Sequence, residues 1–162
     1  MKNVLAICLM LIFSACWRHK VSNVTVISLS YRQKDIQKEF DTLYNHQKNK
    51  HGAYKGIIEQ ALAVCHNDED RADTATQDVF SSMYLNHHTG QYDCVTTTTF
   101  KFPNGSISAT GVFNLKPGDT IAPDHDFPII GGSAAFSNIY GTYTRKYQNG
   151  IYHVELRYFK LK

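Results

Sequence analysis

Two carboxylates are candidates for acid–base chemistry. Asp126 opens the stretch DFPII, and Glu59 interrupts the apolar run GIIEQALAVC at residues 56–65. A carboxyl group walled in by apolar side chains has its charged form disfavoured. Its pKa rises, and it can serve as general acid or base near neutrality. The plainer alternative for Asp126 is a loop carboxylate satisfied by backbone amides. Ser133, in Gly131-Gly132-Ser133-Ala134-Ala135, has the look of a hydrolase nucleophile, but that chemistry needs a helix directly after the serine. Here Ser137-Asn138-Ile139-Tyr140-Gly141 follows, strand-like and interrupted by glycine. Neighbouring His87 and His88 point to opposite sides of an extended chain and make poor joint metal ligands. Asp68-Glu69-Asp70 with Asp73 lacks the alternating ligands and central glycine of a calcium loop. No metal site is expected. Tyr92, Phe100, Tyr152 and Tyr158 are candidate walls for a small apolar ligand, although the same residues equally build a packed core.

The elements carrying these residues are mostly strands. Residues 24–30 are rich in β-branched side chains. At residues 33–50, Ile36, Phe40, Leu43 and Tyr44 fall at helical spacing with charges between them, which predicts a short N-terminal helix. A strand through residues 42–46 is the alternative. Residues 56–65 fit either a helix face or a buried strand, and the acidic stretch 66–76 reads as a loop. From residue 79 onward the chain reads as β. In residues 92–102, Tyr92, Cys94, Thr96, Thr98, Phe100 and Phe102 share one face. Pro103-Asn104-Gly105 and Gln148-Asn149-Gly150 are hairpin turns. In the last strand Tyr152, Val154, Leu156 and Tyr158 oppose Ile151, His153, Glu155, Arg157 and Phe159. Alternation does not say which set faces inward, because a slip of one residue exchanges them. Consecutive hairpins are most economically closed as a barrel, which removes exposed edges.

The chain has 162 residues, 43% of them hydrophobic and 12% aromatic, and a net charge of +3. That length fits one domain with a sizeable core. The charge is too mild and mixed for a nucleic-acid partner. Lys2, the apolar residues 4–13 and the small Ser14 and Ala15 form a signal peptide (1–15) too short to span a bilayer. Small residues directly before Cys16 resemble a bacterial lipobox, in which the cysteine is acylated. Phe13 stands where leucine is usual, and ordinary cleavage near Ala15 is the alternative. The resulting expectation is an exported protein of the cell envelope. Cys16 is lipidated and membrane-anchored, residues 16–23 form a tether, and residues 24–162 form a single domain. Cys65 and Cys94 remain as an even pair, and a disulfide between them is expected in an exporting compartment. Two separate buried thiols are the alternative.

Residues 126–143, DFPIIGGSAAFSNIYGTY, resemble the signature of the allene oxide cyclase and dirigent barrel superfamily. Asp126, Ile129-Ile130, the Gly131-Gly132 turn with Phe136, and Gly141 take the places of its acidic residue, short strand, glycine turn and later glycine. Ala134 stands where glycine is usual. Upstream, FKFPNGSISATGVF and GQYDC are similar to the preceding hairpin. The resemblance covers residues 90–159. It implies a closed eight-stranded antiparallel barrel with an apolar cavity and no cofactor. It also implies a homo-oligomer, since several members are trimers or dimers, and places Asp126 at the barrel mouth or wall. Three functions follow as expectations. The first is a barrel binding a small apolar ligand or an envelope partner. The second is a cofactor-free isomerase or cyclase using Asp126 or Glu59. The third is a structural protein with a packed barrel.

Overall fold

The computed structural model describes residues 23–68 and 73–161. The signal peptide, Cys16 and the tether up to residue 22 lie outside the described residues. Nine strands run in chain order: β1 (Thr25–Arg32), β2 (Gln37–Thr42), β3 (Gly56–Asn67), β4 (Asp73–Leu85), β5 (Tyr92–Phe102), β6 (Gly105–Leu115), β7 (His125–Ala134), β8 (Ile139–Gln148) and β9 (Ile151–Lys160). From β3 to β9 each strand pairs antiparallel with the next. β1 pairs with β9 along its length and with the end of β3, Ser30 opposite His66, which closes the sheet. β2 continues along the same side of β3, Gln37 opposite Leu62. The barrel therefore has eight staves, the first broken at Gln33–Asp35 into β1 and β2. Past the β8–β9 turn, where the Gln33 amide donates to the Gly150 carbonyl, β2 has only β3 beside it.

Side-chain alternation fills the barrel. Tyr92, Cys94, Thr96, Thr98 and Phe100 point inward from β5, and Tyr152, Val154 and Leu156 from β9. The larger apolar cluster gathers Leu29, Phe100, Ile107, Phe127, Ile129, Phe136, Ile139 and Leu156. Met83, Leu85, Tyr92 and Cys94 form a smaller one toward the β4–β5 turn. The buried hydroxyls Ser81 and Thr96, bonded at 2.9 Å, lie between the two on neighbouring β4 and β5.

The N-terminal helix is not formed. Residues 33–50 contain β2 and two single 3-10 turns, Gln33–Asp35 and Tyr44–His46. β2 pairs with β3 through Phe40 opposite Glu59, and Phe40 stays exposed. Tyr44, Asn45 and His46 all adopt left-handed backbone (φ 55°, 52° and 59°), which no α-helix tolerates. Pairing to a long central strand outweighs a helical stripe four residues deep. Residues 56–65 resolve as strand β3, and β3 and β4 extend into the polar segment read as a loop.

The disulfide is absent: Cys65 and Cys94 are both buried free thiols. Cys65 on β3 sits opposite Ala75 of β4, whereas Cys94 on β5 sits opposite Met83 of β4. Those two positions are eight residues apart along β4, roughly 26 Å at a strand's rise, far beyond the reach of a disulfide. Burial pushes each thiol's pKa up to about 12, so neither is a reactive thiolate at neutral pH.

Three turns differ in their chemistry. Asn149 and Gly150 both take positive φ (52° and 82°), as an Asn-Gly hairpin requires. In the β5–β6 hairpin Phe102 pairs with Gly105, so Pro103 and Asn104 make the turn and Gly105 carries the positive φ of 148°. Ala134, at the end of β7, has φ 51°. A left-handed alanine costs about 1–2 kcal/mol, partly offset by the backbone entropy that glycine would lose. Ala134→Gly is expected to stabilise the fold by about 0.5–1 kcal/mol, read as a raised urea midpoint; an unchanged or lowered midpoint contradicts that balance.

Candidate functional site

The barrel interior is not uniformly apolar. Arg145 points inward from β8, between the inward Tyr143 and Tyr147, and is only 8% exposed. Across the sheet it faces Val154 of β9 and His125 of β7. Its guanidinium lies over the Tyr152 ring, 4.9 Å from the centroid, and interacts electrostatically with Tyr31. Tyr31 itself stacks on Tyr152 at 5.1 Å. Burial works against the charge on Arg145, but the surrounding hydroxyls of Tyr143, Tyr31 and Tyr152 outweigh it, and the pKa lies above the ordinary arginine value. The guanidinium is therefore charged at every relevant pH. Its Nε and Nη2 have no hydrogen-bond partner in the protein.

Gln77, 1% exposed, points inward from β4. Its Nε2 donates to the Tyr143 hydroxyl at 3.4 Å, while its Oε1 has no partner. Together with Arg145, Tyr31 and Tyr152, it lines a chamber whose wall continues through Ala61, Ala63, Val79, Ser81, Thr96 and Phe113. The chamber volume is ≈ 40 Å³, room for about three waters at roughly 10–15 Å³ each. Ile36, Lys38 and Glu59 line its end, where β2 runs on with only β3 beside it, and Ala122 of the loop preceding β7 also lines it. Lys38 and Glu59 pair there at 3.9 Å. A larger groove of ≈ 550 Å³ lies against Arg32, Asp35, His66, Asp68 and His153. Its charges are mixed and, apart from Tyr31, its lining is not buried. The chamber is therefore the better candidate.

His125 completes the interior. Its ring stacks on Phe127 at 4.1 Å and on Phe113 at 5.4 Å. Nδ1 lies 3.1 Å from the Pro123 carbonyl, which fixes the neutral tautomer with its proton on Nδ1, and leaves Nε2 buried without a partner. Burial and the positive charge of Arg145 lower its pKa from 6.5 to about 4. In the unfolded chain the imidazole gains its proton near pH 6.5, so between pH 6.5 and 4 the unfolded state binds more protons. The contribution of neutral His125 is complete above pH 6.5 and is lost as pH falls toward 4. Urea midpoints measured from pH 7 to pH 4.5 should decline, and His125→Phe should flatten part of that decline. An identical decline in the variant assigns it to other groups.

The sequence-derived candidates fall in different places. Glu59 faces the chamber. Asp126 is exposed on the outer face of β7, beside Thr144, Lys146 and Glu155, and does not reach the interior. Tyr152 is a chamber wall, and Phe100 packs edge-on to Tyr143 at 5.2 Å behind it. Tyr92 sits toward the β4–β5 turn, its hydroxyl donating to the Tyr54 carbonyl at 2.8 Å. Tyr158 packs against Phe136 toward the β7–β8 turn. Gly131, with φ 154°, allows the bulge between β6 and β7, and Gly132 lies so close to the Phe136 and Ser106 carbonyls that a side chain would meet both at 2.6 Å. Gly141 touches the backbone of β9. Arg145, Gln77, His125, Tyr31 and Tyr143 were not singled out by sequence. Their only signal is a polar or charged side chain on the apolar set of an alternating strand.

No protein-family model and no curated protein matches the chain. Solved structures do. A pyocyanin demethylase superposes with TM-score 0.55 at 16% identity, covering 83% of this chain and 99% of its own. A Diels-Alderase from Streptomyces koyangensis gives TM-score 0.60 at 11% identity, covering 94% and 75%. A pterocarpan synthase dirigent protein gives 0.59 at 15% identity, covering 88% and 96%. At such identities the likeness shows the fold alone: the chain has the closed antiparallel barrel architecture of these proteins.

Proposed function

We propose that the chain is an exported, lipid-anchored barrel that binds a small molecule in the chamber around Arg145. The observation carrying this reading is that Arg145 Nε and Nη2 and Gln77 Oε1, on two residues that line this chamber, are buried without protein partners. Buried polar groups are ordinarily paired, and a cluster of orphans aimed into one cavity is what a binding site looks like before its ligand is counted. Export and anchoring rest on residues 1–16. Palmitate-analogue labelling of the full chain should disappear in Cys16→Ser. A homo-oligomer is supported by the outer face of β4, β5 and β6, where Phe80, Val95 and Val112 are exposed. Sedimentation of the full chain reads that directly.

The test is native mass spectrometry of the full chain purified from an exporting host, followed by solvent extraction. An extra discrete mass removed by extraction supports the reading. A bare mass from both the recombinant host and native cells overturns it in favour of a packed structural barrel.

A catalytic reading has one specific support: a carboxylate, Glu59, and a cation, Arg145, line the same chamber. The first could move a proton while the second stabilises developing negative charge on oxygen. Two of the similar structures are named for catalysts of bond formation, the Diels-Alderase and the pterocarpan synthase. Fold alone does not transfer the activity. In a cofactor-free cyclase or isomerase, Glu59→Gln should keep the bound mass and lose turnover. Asp126→Asn, on the outer face, should change neither.

A further inference from the structure

We infer that the chamber selects a small organic carboxylate, held side-on by the Nε and Nη2 edge of Arg145; this rests on the chamber being a binding site. The two unpartnered nitrogens are not any two atoms of the guanidinium. Nε–H and the Nη2–H beside it point the same way in one plane, forming one of the two forks that match the two oxygens of a carboxylate. The plane of the group is set by the Tyr152 ring that it lies over. The fork is thereby held open in one orientation rather than being a loose surface cation.

Charge supports the same ligand. Among the described residues no carboxylate forms an ion pair with Arg145. Glu59, the one acidic group lining the chamber, is paired with Lys38 at its end. His125, facing Arg145 from β7, is neutral above pH 6.5 and brings no charge. The buried cation is left for a ligand to neutralise. The body of that ligand meets Tyr152, Phe113, Val79, Ala61 and Ala63, an aromatic and aliphatic wall suited to a compact apolar group.

The probes are acetate and acetamide, four heavy atoms each and so matched to the ≈ 40 Å³ chamber, alike in shape and different in charge. They are titrated by ligand-observed NMR at pH 7 into the full-length protein and into Arg145→Met. The wild type should bind acetate at least tenfold more tightly than acetamide. Arg145→Met should lose that preference while still binding acetamide, which also shows that the variant is folded and its chamber open. Equal binding of both probes by the wild type overturns the carboxylate inference and leaves the chamber reading standing. So does an acetate preference that survives in Arg145→Met, because the anion then sits elsewhere, for instance on Lys38. Binding of neither probe also overturns the inference. Combined with a bare native mass, it overturns the chamber reading as well.

Discussion

Gly141→Ala should be among the most damaging single-methyl changes in the barrel, lowering stability by about 3 kcal/mol and the melting temperature by roughly 10 °C. Gly141 faces inward on β8 between Ile129 of β7 and Tyr158 of β9. A Cβ there would sit inside the contact distance of the Arg157 carbonyl oxygen, 2.7 Å from the Tyr158 Cα and 2.9 Å from the Arg157 carbonyl carbon. All three obstacles are backbone, and the strand that carries them is hydrogen-bonded on both sides, to β8 and to β1. No rotamer change relieves the overlap, so β8 and β9 must move apart. Gly111 offers the informative contrast. Its Cβ would collide with the Phe127 ring, a side chain stacked with His125 and able to shift. Gly111→Ala should therefore cost less, about 1–3 kcal/mol. Urea unfolding of both variants measures the order. A Gly141→Ala midpoint equal to wild type would mean that β8 and β9 do not approach as described.

The hairpins from β5 onward could be read from the sequence because their signals are local. Strict alternation in residues 92–102 and 151–160, with Asn149-Gly150 between β8 and β9, leaves few other pairings. The first third could not be read this way. β2 has no core of its own, and its residues are mostly exposed. Only the edge of β3 makes it a strand, and that partner lies some twenty residues away. The helical stripe of Ile36, Phe40, Leu43 and Tyr44 was thus a coincidence of spacing that tertiary pairing overrode. The cysteine pair failed for a related reason: evenness of count says nothing of register, and register puts the two thiols at opposite ends of β4. The site was half legible. Tyr152 and Glu59 reach the chamber, but the acidic residue marked by the superfamily motif, Asp126, falls on the opposite parity of β7 from Phe127 and Ile129 and so faces out. Arg145 was hidden because both faces of β8 carry a tyrosine and a basic residue. Tyr143 and Arg145 share one face, Tyr140 and Lys146 the other. Only closure of the barrel decides between them.

Arg145→Met should make the ligand-free protein more stable, by about 1–2 kcal/mol, even as it removes the anchor proposed for the ligand. The wild-type fold keeps a full positive charge in the interior and leaves two of its N–H groups without protein partners. Each such group forfeits about 1–3 kcal/mol of solvation unless something replaces it. Methionine has similar length, no polar atom to desolvate and enough flexibility to pack against Tyr31, Tyr152 and Val154. One interaction is lost in exchange, the cation over Tyr152, about 0.5–2 kcal/mol. The desolvation relieved is the larger side of that balance, so the net sign favours methionine. Urea unfolding without added ligand is the measurement. Adding acetate should then stabilise the wild type in proportion to the logarithm of its concentration and leave Arg145→Met nearly unmoved, so the two stability curves converge as the ligand rises. A variant less stable than wild type would show that Arg145 holds the barrel together through Tyr31 and Tyr152. A variant more stable without ligand, whose advantage shrinks as acetate is added, shows a cation kept at the expense of the fold because the ligand needs it.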